Sequence, residues 1–204
     1  MNLFGGSEAR KDAAKLQTRT ARISTGWAAL VKELRAEEGL RVLDVGPTSS
    51  TNINFLTGLG HSVYMADLIG DLADPKWAHA EEEGFPVAAY LAANFQFSGR
   101  DFDAVLLWDT CDYLPADLRQ AVIERLFEVT KPGGKVLALF HVKPEREWNR
   151  YHLREDGKVD TQFAGTADTR PSLNNRQIEQ LFQRFASYRF FLAKDNLREV
   201  LVTR

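Results

Sequence analysis

Apolar positions along the chain change period several times, and each change marks an element. Trp27, Leu30, Val31 and Leu34 recur at helical spacing behind Ser24, a capping residue, and Gly39 stands where a helix stops. This predicts a helix of about 15 residues. The segment before it, 7–22, is helical by propensity, has a poor apolar face and reads as an arm. Arg41-Val42-Leu43-Asp44-Val45 is a short apolar run closed by Gly46-Pro47, the pattern of a buried strand. Ile53, Phe55, Leu56 and Leu59 then predict a helix over 51–59 that ends at Gly60. Residues 62–66 read as a second strand, 86–90 as a weaker third and 102–108 as a strong fourth. Between the second and third, 74–84 read as a polar helix or irregular turn stopped by Gly84. Leu118, Ala121, Val122, Leu126 and Val129 form the stripe of a long helix over 116–130, stopped by Pro132-Gly133-Gly134. A fifth strand follows at 135–140.

Strands alternating with helices imply a parallel sheet covered on both faces. Such sheets bind ligands beyond the carboxyl ends of their strands, where the strand order reverses. Residues 142–172 break the rhythm: they are polar, aromatic and irregular, with a hairpin signal at Asp156-Gly157. Asn174 then caps a helix carrying Ile178, Leu181, Phe182 and Phe185. The last two apolar runs, 188–192 and 199–202, are joined so closely by Lys194-Asp195-Asn196 that they should pair antiparallel.

Composition narrows the classes. The chain has 204 residues, 44% of them apolar and 26% charged, which suits one generous globular domain. A net charge of −2 argues against a general nucleic-acid binder. The most basic-looking segment, 143–158, holds five basic side chains against four acidic ones, too little for an electrostatic footprint on RNA. Cys111 is the single cysteine, which excludes internal disulfides and multi-cysteine zinc sites, and it reads as a small buried filler. His61, His79 and His152 show no metal-ligand spacing, so no metal is assigned. The start of the chain lacks a secretory signal, and no run is long and apolar enough for a membrane span, so a cytoplasmic protein is expected.

In their order and spacing the motifs resemble the class I S-adenosylmethionine-dependent methyltransferases over roughly residues 40–204. Val42-Leu43-Asp44-Val45-Gly46 resembles the family's first motif. Asp67 stands where the family places the acid that binds the cofactor ribose, and it lies 21 positions after Gly46. Phe102-Asp103-Ala104-Val105 resembles the start of the fourth strand, and Lys131-Pro132-Gly133-Gly134-Lys135 is similar to the family's turn into the fifth. The resemblance implies a Rossmann-like α/β domain over 40–204. It would have a seven-stranded, mostly parallel sheet with an antiparallel last strand, and helices on both faces. Residues 1–39 would be a helical extension and 142–172 an inserted lid. It also implies methyl transfer from S-adenosylmethionine to a small-molecule substrate. A loop of small residues with an acid about 20 residues beyond it equally describes a dinucleotide site, so a nicotinamide-dependent oxidoreductase stays an alternative; that reading requires an all-parallel sheet.

The loop departs from the family's Gly-x-Gly-x-Gly, since this chain has Gly46-Pro47-Thr48-Ser49-Ser50. The hydroxyls of Thr48 and Ser50 can bond the cofactor's amino-acid end, or they can narrow the pocket and leave an inactive binding or scaffold protein. The resemblance assigns cofactor contacts to Asp44, Gly46, Pro47, Thr48, Ser50, Asp67, Leu68, Asn94, Phe95 and Asp109. Asp44 orients the cofactor's ammonium end or caps the next turn. Asn94 meets the adenine amino group, with Phe95 as an apolar neighbour, or is a loop asparagine. Asp109 binds a ligand or is a helix-terminal acid. Asp112, Tyr113, Trp148 and Tyr151 are the substrate candidates. His141, at the end of the fifth strand, is the general-base candidate by position.

Overall fold

The computed structural model describes residues 15–77, 84–191 and 195–204. The expected arm over 7–14, the part of 74–84 that holds His79, and the link at 192–194 lie outside the described residues.

Six strands form the main sheet: β2 (Arg41–Val45), β3 (Ser62–Ala66), β4 (Phe102–Trp108), β5 (Thr130–His141), β8 (Ser187–Phe191) and β9 (Leu197–Thr203). Their spatial order is β3-β2-β4-β5-β9-β8. The first four run parallel, and β9 pairs antiparallel with both β5 and β8. An antiparallel β9 departs from the all-parallel sheet that the nicotinamide reading requires. The chain leaves β2 for β3 on one side and returns to β4 on the other, so the order reverses at β2. The reversal opens a crevice at the carboxyl ends of β2 and β4.

Helices cover both faces. On one lie α1 (Thr25–Leu34) and α2 (Ser50–Gly58). Ser24 caps α1 as expected, its side chain accepting from the Trp27 N–H, and the helix spans ten residues rather than fifteen. Trp27, Leu30, Val31 and Leu34 pack there on Val42, Ala104, Leu106, Leu137 and Leu139. The other face carries α3 (Leu68–Leu72), α4 (Val87–Asn94), α5 (Ala116–Val129) and α6 (Asn175–Leu181). There Leu118, Val122, Ile123 and Leu126 of α5 meet Val105, Leu107, Val136 and Ala138. Asn174 caps α6 in a capping box with Gln177.

Three expectations are corrected. The third strand expected at 86–90 is helical, so the main sheet has six strands and β3 forms its edge. Alanines 88, 89, 92 and 93 favour helix, and the turn docks Tyr90, whose hydroxyl donates to the Leu68 carbonyl at 2.6 Å. The segment ahead of α1 is not helical throughout: Arg19–Ile23 form β1. Residues 142–172 are irregular only at their ends, since their middle folds into a hairpin of β6 (Glu147–Leu153) and β7 (Lys158–Thr166) turning at Asp156-Gly157. β1 pairs antiparallel with β7, which gives a second sheet of order β1-β7-β6. No helix among the described residues is long and apolar enough to cross a membrane.

Candidate active site

Side chains alternate across a strand, so residues two apart share a face. Val42 and Asp44 of β2, Leu106 and Trp108 of β4, and Leu139 and His141 of β5 therefore all point to the α1–α2 face. Asp44, Trp108 and His141 end their apolar rows at the carboxyl edge of the sheet, beside the crevice.

Asp44 is buried and meets no cation among the described residues. Its carboxylate accepts from the Trp108 indole Nε1 at 2.6 Å and from Asn52 Nδ2 at 2.8 Å. Burial pushes its pKa up to about 6 against the pull of these two donors. Trp108 adopts φ 49°, a conformation uncommon for a bulky side chain. Its ring lies over the loop: a Cβ placed on Gly46 would sit 3.2 Å from Trp108 Cδ1. Glycine at 46 therefore leaves room for the indole. Tyr151 of β6 stacks flat on that indole, with ring centroids 4.7 Å apart and planes 4° from parallel.

The hairpin is fastened to the same loop. Ser49 caps α2 by accepting from Asn52 N–H, and its hydroxyl lies 2.8 Å from His152 Nδ1. His152 Nε2 is 2.7 Å from Gln162 Oε1. Burial holds His152 below its ordinary pKa, which favours a neutral ring. Asn52 donates to the Tyr151 carbonyl at 3.0 Å and accepts from Leu153 N–H at 2.7 Å. Pro47 is half-buried, while Thr48 and Ser50 are exposed.

Beyond β4 and β5 a second cluster forms. Asp112 accepts from the backbone N–H of His141 at 2.6 Å and from its ring Nδ1 at 2.9 Å. His141 Nε2 stands 3.8 Å from Asp109 Oδ2. Burial alone would lower the His141 pKa, but the bond to Asp112 and the charge of Asp109 outweigh it and raise it. Burial raises Asp109 to about 6, against the His141 charge. Tyr113 packs edge-on against His141, and its hydroxyl donates to the Glu147 carbonyl at 3.0 Å. Cys111 is fully buried, its thiol pushed up to about 12.

The remaining expected residues separate into groups. Gly46 N–H donates to the Ala66 carbonyl at 2.8 Å, so Asp67 begins beside the loop. Asp67 is half-buried and caps α3 through Gly70 N–H at 3.0 Å. Leu68 and Phe95 lie wholly in the core, Phe95 against Phe97. The Nδ2 of Asn94 is buried and has no hydrogen-bond partner among the described residues. Trp148 stands apart, across the hairpin against Gly165. A cavity of about 420 Å³ opens between α3 and the segment 167–170, lined by Ile69, Leu72, Trp77, Phe85, Tyr113 and Arg170 among others. Of the four substrate candidates, only Tyr113 reaches it. Sequence reasoning missed Trp108, Asn52 and His152. The period-2 pattern could have flagged Trp108, which shares a sheet face with Asp44; the other two have no local signal.

These titrations set a pH dependence. A carboxyl raised in the fold stabilises it fully below the unfolded value, and that contribution is lost as pH climbs through the folded value. Asp44 and Asp109, both raised from 3.8 to about 6, therefore weaken the fold between those values. His141, raised from 6.5, continues the trend above that. Burial works against Asp195, yet Arg22 holds its pKa low, so its stabilisation is lost only at more acid pH. The melting temperature is expected to peak at about pH 4–5 and to fall toward pH 8, with Asp44 alone contributing on the order of 3 kcal/mol. Calorimetry across that range checks this, and a melting temperature that is flat or rising from pH 5 to 8 contradicts it.

Comparison with known proteins agrees with the topology. A family model described as "Methyltransferase domain" matches residues 18–185. No curated protein sequence matches significantly. Among solved structures, an S-adenosylmethionine-dependent methyltransferase from Clostridium acetobutylicum superposes with a TM-score of 0.53 at 12% identity, covering 99% of each chain. A TehB-like SAM-dependent methyltransferase from Corynebacterium glutamicum gives 0.50 at 16% identity, over 98% of this chain and 95% of that one. One from Mesorhizobium loti gives 0.50 at 13% identity, over 86% and 98%. With its family match spanning most of its length and a strand order that reverses at the candidate loop, as the shared fold of those structures has it, the chain belongs to the methyltransferase domain family.

Proposed function

We propose that the protein methylates a small molecule and that the crevice at the ends of β2, β3 and β4 holds its cofactor. One observation carries this reading: a buried carboxylate, Asp44, stands at the strand-order reversal with only neutral donors around it among the described residues. A cationic ligand group is the partner such a site lacks. The donor set fits S-adenosylmethionine. Asp67 at the end of β3 would accept the ribose hydroxyls, and the Asn94 Nδ2, which has no hydrogen-bond partner among the described residues, would meet the edge of the adenine. Asp44 would face the ammonium of the amino-acid end. Leu68 and Phe95 would support the site from the core. When bound, S-adenosylmethionine supplies an electrophilic sulfonium methyl.

The chain's own part is then placement and exclusion of water. The hairpin β6–β7 closes over the loop. The aromatic cavity lined by Trp77, Phe85 and Tyr113 has a volume in the range of small-ligand pockets, which supports a small, partly apolar substrate. His141, buried between Asp109 and Asp112, balances their charge; its raised pKa weighs against a role as free base near neutral pH.

Asp67→Ala tests the reading. It should weaken binding of S-adenosylmethionine, measured by titration calorimetry, about 10–100-fold, the worth of charge-assisted hydrogen bonds to two hydroxyls. An unchanged affinity removes Asp67 from the site. A wild-type protein that binds nothing at millimolar ligand sinks the reading as a whole.

A further inference from the structure

We propose that Trp108 is a latch on the cofactor crevice, its indole competing with the cofactor's ammonium for the carboxylate of Asp44. The inference rests on the reading that Asp44 faces that ammonium, and it adds what now stands there. Three observations of different kinds converge. The indole N–H already holds Asp44 at 2.6 Å, so the acid's strongest neutral partner must yield before a cation can take its place. The ring lies against Gly46, the one glycine of the loop, where any ligand must approach the backbone. The backbone at Trp108 sits at φ 49°, a strained conformation for a tryptophan that the surrounding packing enforces.

The Tyr151 hydroxyl is buried beside the carboxylate of Asp109, and the hydrogen bond between the two side chains opposes the burial that raises Asp109. Tyr151 is the lid on the latch, since its ring stacks flat on the indole. The hairpin that carries Tyr151 is itself pinned by Asn52 and by the Ser49–His152 contact. The moving parts are therefore the two ring side chains, with the hairpin staying docked. In this arrangement the protein admits its cofactor at a cost that a chain with a small residue at 108 would not meet. Trp108 thus sets cofactor affinity through Asp44 and takes no part in the chemistry.

Titration calorimetry with S-adenosylhomocysteine on the full chain tests this. Trp108→Ala removes both the competing donor and the ring, and it should bind 10–100-fold more tightly than wild type. Trp108→Phe keeps a ring for the stack and loses only the N–H, and it should fall between the two. Tryptophan fluorescence supplies a second readout: saturating ligand should change the wild-type emission, and that component should be missing in Trp108→Phe. Far-UV circular dichroism and melting curves establish that each variant folds. Equal affinity in all three proteins overturns the latch and leaves the proposed function standing. Weaker binding by folded Trp108→Ala also overturns it, because the indole would then be part of the ligand site. If no folded protein of the three binds at millimolar ligand, the cofactor reading fails and the latch fails with it.

Discussion

Glu199→Ala is expected to lower the stability of the fold by about 3–5 kcal/mol, the usual cost of breaking a buried ion pair from one side. Glu199 is 1% exposed at its side chain, on the α1 face of β9, where its strand neighbours are apolar. It has two partners. Its Oε2 accepts from the Gly26 N–H in the first turn of α1 at 2.6 Å, and its Oε1 lies 2.8 Å from Arg22 NH1. Arg22 in turn donates from Nε to Asp195 at 2.8 Å. One carboxylate thus ties β1, α1 and β9 together, and it stands near the positive end of the helix dipole. Gly26 permits the approach, since a Cβ there would meet Leu137 Cδ1 at 2.7 Å. With alanine at 199, the guanidinium keeps only Asp195, and the Gly26 N–H loses its acceptor. For a chain of this length the melting temperature should drop by roughly 10 °C. Glu199→Gln, which keeps an oxygen for Gly26, should lose about half as much. Replacing Arg22 and Glu199 together by methionine should cost less than Glu199→Ala alone, because the one charge then left without its partner, Asp195, is exposed to solvent. Thermal and denaturant unfolding of the four proteins measure this. A Glu199→Ala loss under 1 kcal/mol would show that the tie is incidental.

Asn52→Leu is the second large effect, and its signature is local. Leucine matches the volume but abandons three buried groups: the Asp44 carboxylate, the Tyr151 carbonyl and the Leu153 N–H. Each unmet group costs about 1–3 kcal/mol, so about 3–5 kcal/mol in all is expected. Two of these partners lie on the hairpin, which should therefore loosen from the crevice before the main sheet melts. Hydrogen exchange read residue by residue decides the matter. The Leu153 amide should lose protection by two orders of magnitude or more, while Val105 and Leu137 on β4 and β5 change far less. Uniform loss across both sheets would mean that the hairpin and the main sheet unfold as one unit.

Much of the fold was legible because its signals are local. Ser24 and Asn174 cap the helices they precede, and the apolar run 102–108 makes a central strand. The turn at Asp156-Gly157 closes a hairpin. Misreadings fell where local signals tie. Residues 86–90 are apolar without a clear period, and alanine-rich continuation through Asn94, with Tyr90 anchored to Leu68, tipped them to helix. Arg19–Ile23 became a strand because β7 offers a free edge, which no window around residue 19 can reveal.

The candidate site divides the same way. Asp44, Gly46 and Asp67 were readable from strand ends and spacing. Trp108, Asn52 and His152 were not, because their partners lie 64, 101 and 103 positions away along the chain. The amino-acid sequence by itself determined an α/β sheet, its strand ends and the family to which it belongs, since period, caps and turns act within a few residues. Only the tertiary structure decided that a hairpin covers the loop and that an indole occupies Asp44. Those contacts depend on which buried polar groups find one another when distant elements pack, and burial without a partner is too costly to leave that pairing open.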